Sequence, residues 1–214
     1  MLEEATRLIL IRHGETPWNR IARIQGHTDI PLSPLGLSQA ERVAEALADE
    51  PLAAIYSSDL IRARQTAEAL ARVQGLPVRF DAGLRERAFG RFEGLTWEEI
   101  SKGYPEDAMR WRRREPDFAV GGGESLNRFS ARCLDAARRA AIAHPGQAIA
   151  LVAHGGVLDC LYRAATRAAL EAPRSWQLGN ATINRLLATT DGFTLIGWND
   201  DRHLAGLSAD DVAA

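Results

Sequence analysis

Apolar positions along the chain alternate between two spacings. Thr6 to Ile11 (TRLILI), Ala53 to Ser57 (AAIYS) and Ala148 to Ala153 (AIALVA) are short, nearly continuous apolar runs, the pattern of strands covered on both faces. Between them the apolar residues recur every three or four positions. Leu37, Ala40, Val43, Ala44 and Leu47 form such a stripe behind Ser33-Pro34, a capping serine followed by a proline suited to the first helical position. Leu60 to Val73 predicts a second helix that stops before Gly75. Ser125 to Ala143 predicts a long amphipathic helix ended by Pro145-Gly146, and Val157 to Ala165 an apolar one. Pro77 to Phe80 predicts a short strand, its proline marking strand entry or a sheet edge. Thr182 to Thr189 and Phe193 to Trp198 flank Asp191-Gly192, a hairpin turn.

Strand–helix alternation closed by a hairpin predicts an α/β protein: a three-layer α/β/α sandwich whose central sheet is mostly parallel, with an antiparallel strand near the C-terminus. No repeat, low-complexity tract or linker divides the 214 residues. The expectation is one domain over 1–214, with residues 95–123 as a lid segment. A formal net charge of −2 supplies no overall field to recruit nucleic acid or an acidic membrane. Lys102 is the only lysine, so the basic side chains are almost all arginine, which suits bidentate oxyanion binding and equally reflects a GC-rich genome. Cys133 and Cys160, the only cysteines, lie in apolar helical contexts and read as reduced core thiols. Met1 to Ala5 lack an apolar signal core, and no stretch approaches the roughly 20 apolar residues of a membrane span. A cytoplasmic protein is expected. The oligomeric state stays open, a homodimer included.

Two of the apolar runs end in the same dipeptide, His13-Gly14 and His154-Gly155. In open α/β sheets functional groups gather beyond the carboxyl ends of the strands. Parallel neighbouring strands would therefore set His13 and His154 face to face. Arg12 precedes the first histidine. Arg62 starts the helix after the second strand, and from that turn Arg62, rather than Arg64, points back at the strand end. Two histidines and two arginines around one point make a phosphoryl site. Guanidinium forks match phosphate oxygens. A neutral imidazole attacks phosphorus when its second nitrogen is oriented by a hydrogen bond. The surrounding cations stabilise the charge spread over the equatorial oxygens. A leaving alkoxide also needs a proton donor. Glu86, after the third strand, is the leading candidate, with Glu93 and Glu15 as competitors.

Six segments carry a family likeness: LIRHGET-WN (Leu10 to Asn19), QGHTDIPLSPLG (Gln25 to Gly36), IYSSDLIRARQTAE (Ile55 to Glu68), LRERAFGRFEG (Leu84 to Gly94), GGGES (Gly121 to Ser125) and LVAHGG (Leu151 to Gly156). In this order they resemble the histidine phosphatase, or phosphoglycerate mutase-like, superfamily. The resemblance implies His13 as the nucleophile that becomes phosphohistidine. It implies Arg12, Arg62 and His154 as the rest of the phosphate pocket, and Glu86 rather than Glu93 as proton donor. Asn19 and the backbone at Gly155 would add hydrogen bonds, and Gln25-Gly26 would touch substrate. It implies no metal and no cofactor, and a small phosphorylated metabolite as the partner.

The superfamily contains phosphatases and cofactor-dependent mutases. A mutase must exclude water and hold a bisphosphorylated intermediate, which requires additional cations and a closing lid. Here only Leu95 to Gly123 separate the Glu86 segment from the long helix, and Trp97 stands near the position of the mutase lysine. Both departures favour a phosphatase. Arg110-Trp111-Arg112-Arg113-Arg114 points the other way, as a cluster able to read a second anion; its alternative is a solvated face paired with Glu106, Asp107 and Glu115. A non-catalytic phospho-ligand module would have no need of His13, Glu86 and His154 together. A metal-dependent hydrolase would need a carboxylate-rich ligand set that the sequence lacks. Specificity is expected from Gln25 to Ile30, from Trp97 to Arg114, and from the loop at Leu178 to Thr182, with Asn180 and Thr182 at the cleft mouth.

Overall fold

The computed structural model describes residues 5–207, so Met1 to Glu4 of the opening segment lie outside the described residues. Six strands, β1 (Thr6–Arg12), β2 (Leu52–Ser57), β3 (Val78–Phe80), β4 (Ala148–Ala153), β5 (Ile183–Thr189) and β6 (Gly192–Asp200), form one sheet in the order β3-β2-β4-β1-β5-β6. β1 to β4 run parallel, and β5 runs against both of its neighbours. The strand entered by Pro77 is an edge strand, where a missing N–H costs no ladder bond. β1 pairs β4 with Leu10 opposite Leu151 and Arg12 opposite Ala153, so the residues that follow the two strands emerge at one level.

Among the described residues seven α-helices accompany the sheet: α1 (Pro17–Arg20), α2 (Pro34–Ala46), α3 (Ile61–Gln74), α4 (Trp97–Gly103), α5 (Pro105–Arg112), α6 (Leu126–Ile142) and α7 (Gly155–Thr166). The strand period of two divides the core. Ile9, Ile11, Ile55, Ala150 and Val152 face Val43, Leu47, Ala63, Ala67 and Leu70 of α2 and α3 and their flanks. Leu8, Leu10, Ile149 and Leu151 face Phe129, Cys133 and Ala137 of α6 and Leu158 and Leu161 of α7. This is the expected three-layer sandwich. Each Leu or Ile buried in this way contributes about 1.5–3 kcal/mol.

Capping explains the helix boundaries. Ser33 accepts the Gly36 N–H and Ser125 the Arg128 N–H through their side chains, and Gly75 closes α3 in the left-handed conformation. α7 begins at Gly155, two residues earlier than the apolar stripe predicts, because extended His154 serves as its cap. The apolar periodicity alone predicts neither α4 nor α5. They enclose a small core of their own, with Phe92, Ile100, Ala108, Phe118 and Val120 buried and Trp111 packed against it. Among the described residues no helix is long and apolar enough to cross a membrane.

Candidate active site

The carboxyl ends of the parallel strands converge on one cleft of about 480 Å³. His13 follows β1 and is almost fully buried, at 3% exposure. Its Nδ1 lies 2.7 Å from Gly14 O. A carbonyl only accepts, so Nδ1 carries the proton and Nε2 holds the lone pair. The surrounding backbone is fixed as well: Gly14 N–H donates to Thr66 Oγ1 at 3.1 Å, and Asn180 Nδ2 donates to His13 O at 3.0 Å. Burial first, then the charges of Arg62 and Arg12, hold the His13 imidazole well below the usual histidine range. It is a neutral base with its free nitrogen in a cationic setting.

The two arginines reach the cleft from different elements. Arg12 Nη1 donates to Leu178 O at 2.6 Å. Arg62, on α3, donates to Gly26 O at 2.7 Å and to Thr28 O at 3.0 Å. These carbonyls aim both guanidinium groups and leave the Nε–H of each buried without a protein partner. A buried charged donor left unpaired is costly, and a phosphoryl oxygen would satisfy it. Burial brings Arg12 down to about 10 and lowers Arg62, and both stay cationic at neutral pH. Arg64 lies over the Phe80 ring, 5.2 Å from its centroid, as its place on the far side of the turn requires.

His154 follows β4 and is fully buried, so it backs the cleft rather than lining its surface. Its ring centroid stands 5.2 Å from that of His13, with the planes tilted by 58°. Its Nε2 lies 2.8 Å from Ser58 Oγ, while its Nδ1 is buried without a partner. Ser58 Oγ accepts the Leu60 N–H, and among the described residues its own proton has no acceptor but Nε2. Nδ1–H is then the free donor. Burial, Arg62, His13 and Arg12 all hold His154 neutral.

The three competing carboxylates separate clearly. Glu86 lines the cleft, its Oε1 accepting the Arg87 N–H at 2.8 Å and its Oε2 the Gly156 N–H at 2.9 Å. Glu93 is consumed by the loop at 27–28: it accepts from His27 N, Thr28 N, Thr28 Oγ1 and Phe89 N. Glu15 accepts from Ser33 Oγ and pairs with Arg20. Asn19 lines the cleft with Oδ1 occupied by Thr16 N–H and the Thr16 hydroxyl, so its amide protons are the available group. Gln25, Gly26 and Gly155 line it too, and Gln25 Oε1 is buried and unpartnered. Among the described residues no group of three or more His, Cys, Asp or Glu side chains is arranged to hold a metal ion.

This arrangement has counterparts of known family. Residues 8–201 match the histidine phosphatase superfamily (branch 1). The chain belongs to that superfamily. It is 40% identical over 201 residues to phosphoglycerate mutase-like protein 4 of Arabidopsis thaliana, covering 92% of this chain and 86% of that protein. It is 36% identical to the metal-independent phosphoserine phosphatase of the same plant, covering 95% of this chain and 85% of that one. Among solved structures, a mycobacterial glucosyl-3-phosphoglycerate phosphatase superposes with a TM-score of 0.81 at 34% identity, covering 92% of this chain and 99% of that one.

Within this histidine phosphatase, two expected contributors lie elsewhere. Trp97 to Arg114 do not line the cleft. Trp97 and Trp111 pack on each other, 5.5 Å between centroids, over the small core of α4 and α5. Arg110 pairs with Glu115, and Arg114 with Asp159. Asn180 and Thr182 are not at the mouth either. Asn180 braces the His13 backbone from behind, and the Thr182 hydroxyl donates to Gly179 O. Ser58 and Arg174 go unrecognised in the sequence. Ser58 follows a strand end, a position that already marks the two histidines. Arg174 sits in an irregular loop with no periodic signal.

Proposed function

We propose that this enzyme hydrolyses a small phosphorylated metabolite without a metal, through a phosphohistidine at His13. Nε2 of His13 attacks phosphorus, and the P–N bond forms as the ester P–O bond breaks. Glu86, entering as the carboxylic acid, gives its proton to the leaving oxygen. Arg12, Arg62, Asn19, the Nδ1–H of His154 and the backbone at Gly155 hold the phosphoryl oxygens. A water then takes the place of the departed alcohol and loses its proton to Glu86. Its oxygen attacks phosphorus, the P–N bond breaks, and inorganic phosphate leaves with His13 neutral again. Gln25 and Gly26 meet the rest of the substrate. Residues 95–123 enter as a lid over the single domain, joined to the cleft wall where Ile24 N–H donates to Leu95 O at 3.0 Å. A cytoplasmic location fits the two buried free thiols, Cys133 and Cys160.

The observation that carries this reading is the Nδ1–Gly14 O hydrogen bond, which leaves the nucleophilic nitrogen of His13 free within the arginine cage. Hydrolysis is favoured over mutation because none of Arg110 to Arg114, the cations that could hold a second phosphate, lines the cleft, and Arg110 and Arg114 are ion-paired elsewhere. The test is release of inorganic phosphate from an aryl phosphate in the presence of a chelator, with an acid-labile, base-stable label trapped on His13 and lost in His13→Ala. Interconversion of 3- and 2-phosphoglycerate with little phosphate released would overturn the hydrolase reading.

A further inference from the structure

Arg174 stands at the rim of the cleft with its charge unspent. It lines the cavity and is exposed, and among the described residues it has no hydrogen bond or ion pair. The other rim arginine, Arg23, is occupied: it donates to Gly94 O and holds the Glu99 carboxylate with both terminal nitrogens. The loop that carries Arg174 is pinned on both sides. Before it, Arg114 Nε donates to Leu170 O at 2.7 Å. After it, Trp176 stacks on Tyr162 with centroids 4.0 Å apart, and Gln177 O accepts Trp198 Nε1–H at 2.9 Å. One residue further on, Leu178 O aims Arg12. Arg174 is therefore placed by the loop that also sets the phosphate arginine, close enough that its like charge helps to lower the Arg12 pKa.

The charges of the cleft can be matched to a ligand. Arg12 and Arg62 each keep a buried Nε–H without a protein partner, which suits them to the phosphoryl group. Arg23 is balanced by Glu99. Among the described residues Arg174 is the one arginine lining the cleft with no hydrogen bond or ion pair, which leaves it for a single further anionic group such as a carboxylate.

We propose that Arg174 is a specificity residue that takes a carboxylate on the substrate, so that the natural substrates are phosphorylated hydroxy or amino acids rather than uncharged phosphate esters. The inference rests on the cleft's taking a phosphoryl group at His13.

Two matched pairs test it on the full chain: O-phosphoserine against O-phosphoethanolamine, and 3-phosphoglycerate against glycerol 3-phosphate. Within each pair only the first member carries a carboxylate. The wild type is expected to prefer the carboxylated member in kcat/KM. In Arg174→Gln the ratio within each pair falls about tenfold, the loss of one charge-assisted contact, and Arg174→Lys recovers part of it. An unchanged ratio in Arg174→Gln, or no preference in the wild type, overturns the proposal. Calorimetric binding of the same four esters to His13→Ala, with and without Arg174→Gln, keeps the two proposals apart. If nothing is turned over but binding shows the Arg174-dependent preference, the hydrolase reading fails and this one stands. If phosphate is released from all four esters without preference, the reverse holds.

Discussion

Gly156 donates its backbone N–H to Glu86 Oε2 at 2.9 Å, and a Cβ at that glycine would stand 2.2 Å from Glu86 Oε1. The first turn of α7 thus holds the carboxylate, and the absence of a side chain at 156 is what admits it. Arg87 N–H fixes the other oxygen. Gly156→Ala is expected to push Glu86 out of place and lower kcat at least tenfold, because a general acid acts only from within hydrogen-bond reach. Glu86→Gln keeps the shape and loses the proton. Its loss should be larger on alkyl phosphates than on an aryl phosphate, whose leaving group needs little protonation. Equal losses on both, measured as kcat/KM, would mean that Glu86 only positions the anion.

The two buried imidazoles give a pH signature. His13 and His154 are held well below the ordinary value of 6.5, chiefly by burial and then by the arginines. Above that value both are neutral in the folded and the unfolded chain and add no pH dependence. As the pH falls below it, the unfolded chain takes up their protons and the folded chain does not, so stability falls. The slope approaches about 1.4 kcal/mol per pH unit for each histidine. Denaturant midpoints measured from pH 7.5 to 5.0 should drop in the wild type and flatten by about half in His154→Gln. An unchanged slope in that variant would mean that His154 is charged in the native state.

Much of this architecture is legible along the chain because short-range signals and burial agree there. TRLILI and AIALVA are short, β-branched apolar runs that fit covered strands, and a polar pair at the end of such a strand emerges at the sheet's carboxyl edge. Ser33, Ser125 and Gly75 mark helix ends through one-residue chemistry. α4 and α5 carry signals of the same kind: Thr96 and Glu99 form a capping box, and Pro105 precedes Glu106 and Asp107 in a first turn. Their apolar stripe is too brief to stand out without those caps. Arg174 and the carbonyl of Leu178 are different. They reach the site through loop contacts that span more than 160 positions, as in the Arg12–Leu178 bond, and no local pattern encodes such a contact.

The arginine run 110–114 divides into structural and solvated members. Asp159 Oδ2 accepts from Arg163 Nε at 2.9 Å and from Arg114 Nη2 at 3.1 Å, and Asp159 and Arg163 are buried. Asp159→Ala removes the carboxylate that both guanidinium groups share, leaves the buried Arg163 without a counter-charge, and should cost about 3–5 kcal/mol in denaturant unfolding. Arg112→Ala, at an exposed position, should fall within about 0.5 kcal/mol of the wild type. Neither Arg110 nor Arg112 lines the cleft, so their alanine variants should leave KM for any phosphate ester unaltered. A several-fold rise in KM for either variant would bring the run back into substrate binding.

Ser58 sets the tautomer of His154 on which the proposed phosphoryl contact depends. Its hydroxyl, 2.8 Å from Nε2, keeps the proton of the neutral ring on Nδ1, which is buried without a protein partner among the described residues. Ser58→Ala removes that bond and strands Nε2 in a dry setting, where an unmet polar atom costs about 1–3 kcal/mol. The ring then loses its preference between tautomers, and in one of them a lone pair would face the phosphoryl oxygens. Inorganic phosphate should inhibit Ser58→Ala about tenfold more weakly, and kcat/KM should fall by at least as much. Ser58→Thr, which retains the hydroxyl, should recover most of the loss if the added methyl is accommodated, with a circular dichroism melt as the check on folding. A Ser58→Ala enzyme that melts earlier but binds phosphate as tightly as the wild type would leave Ser58 a packing role alone.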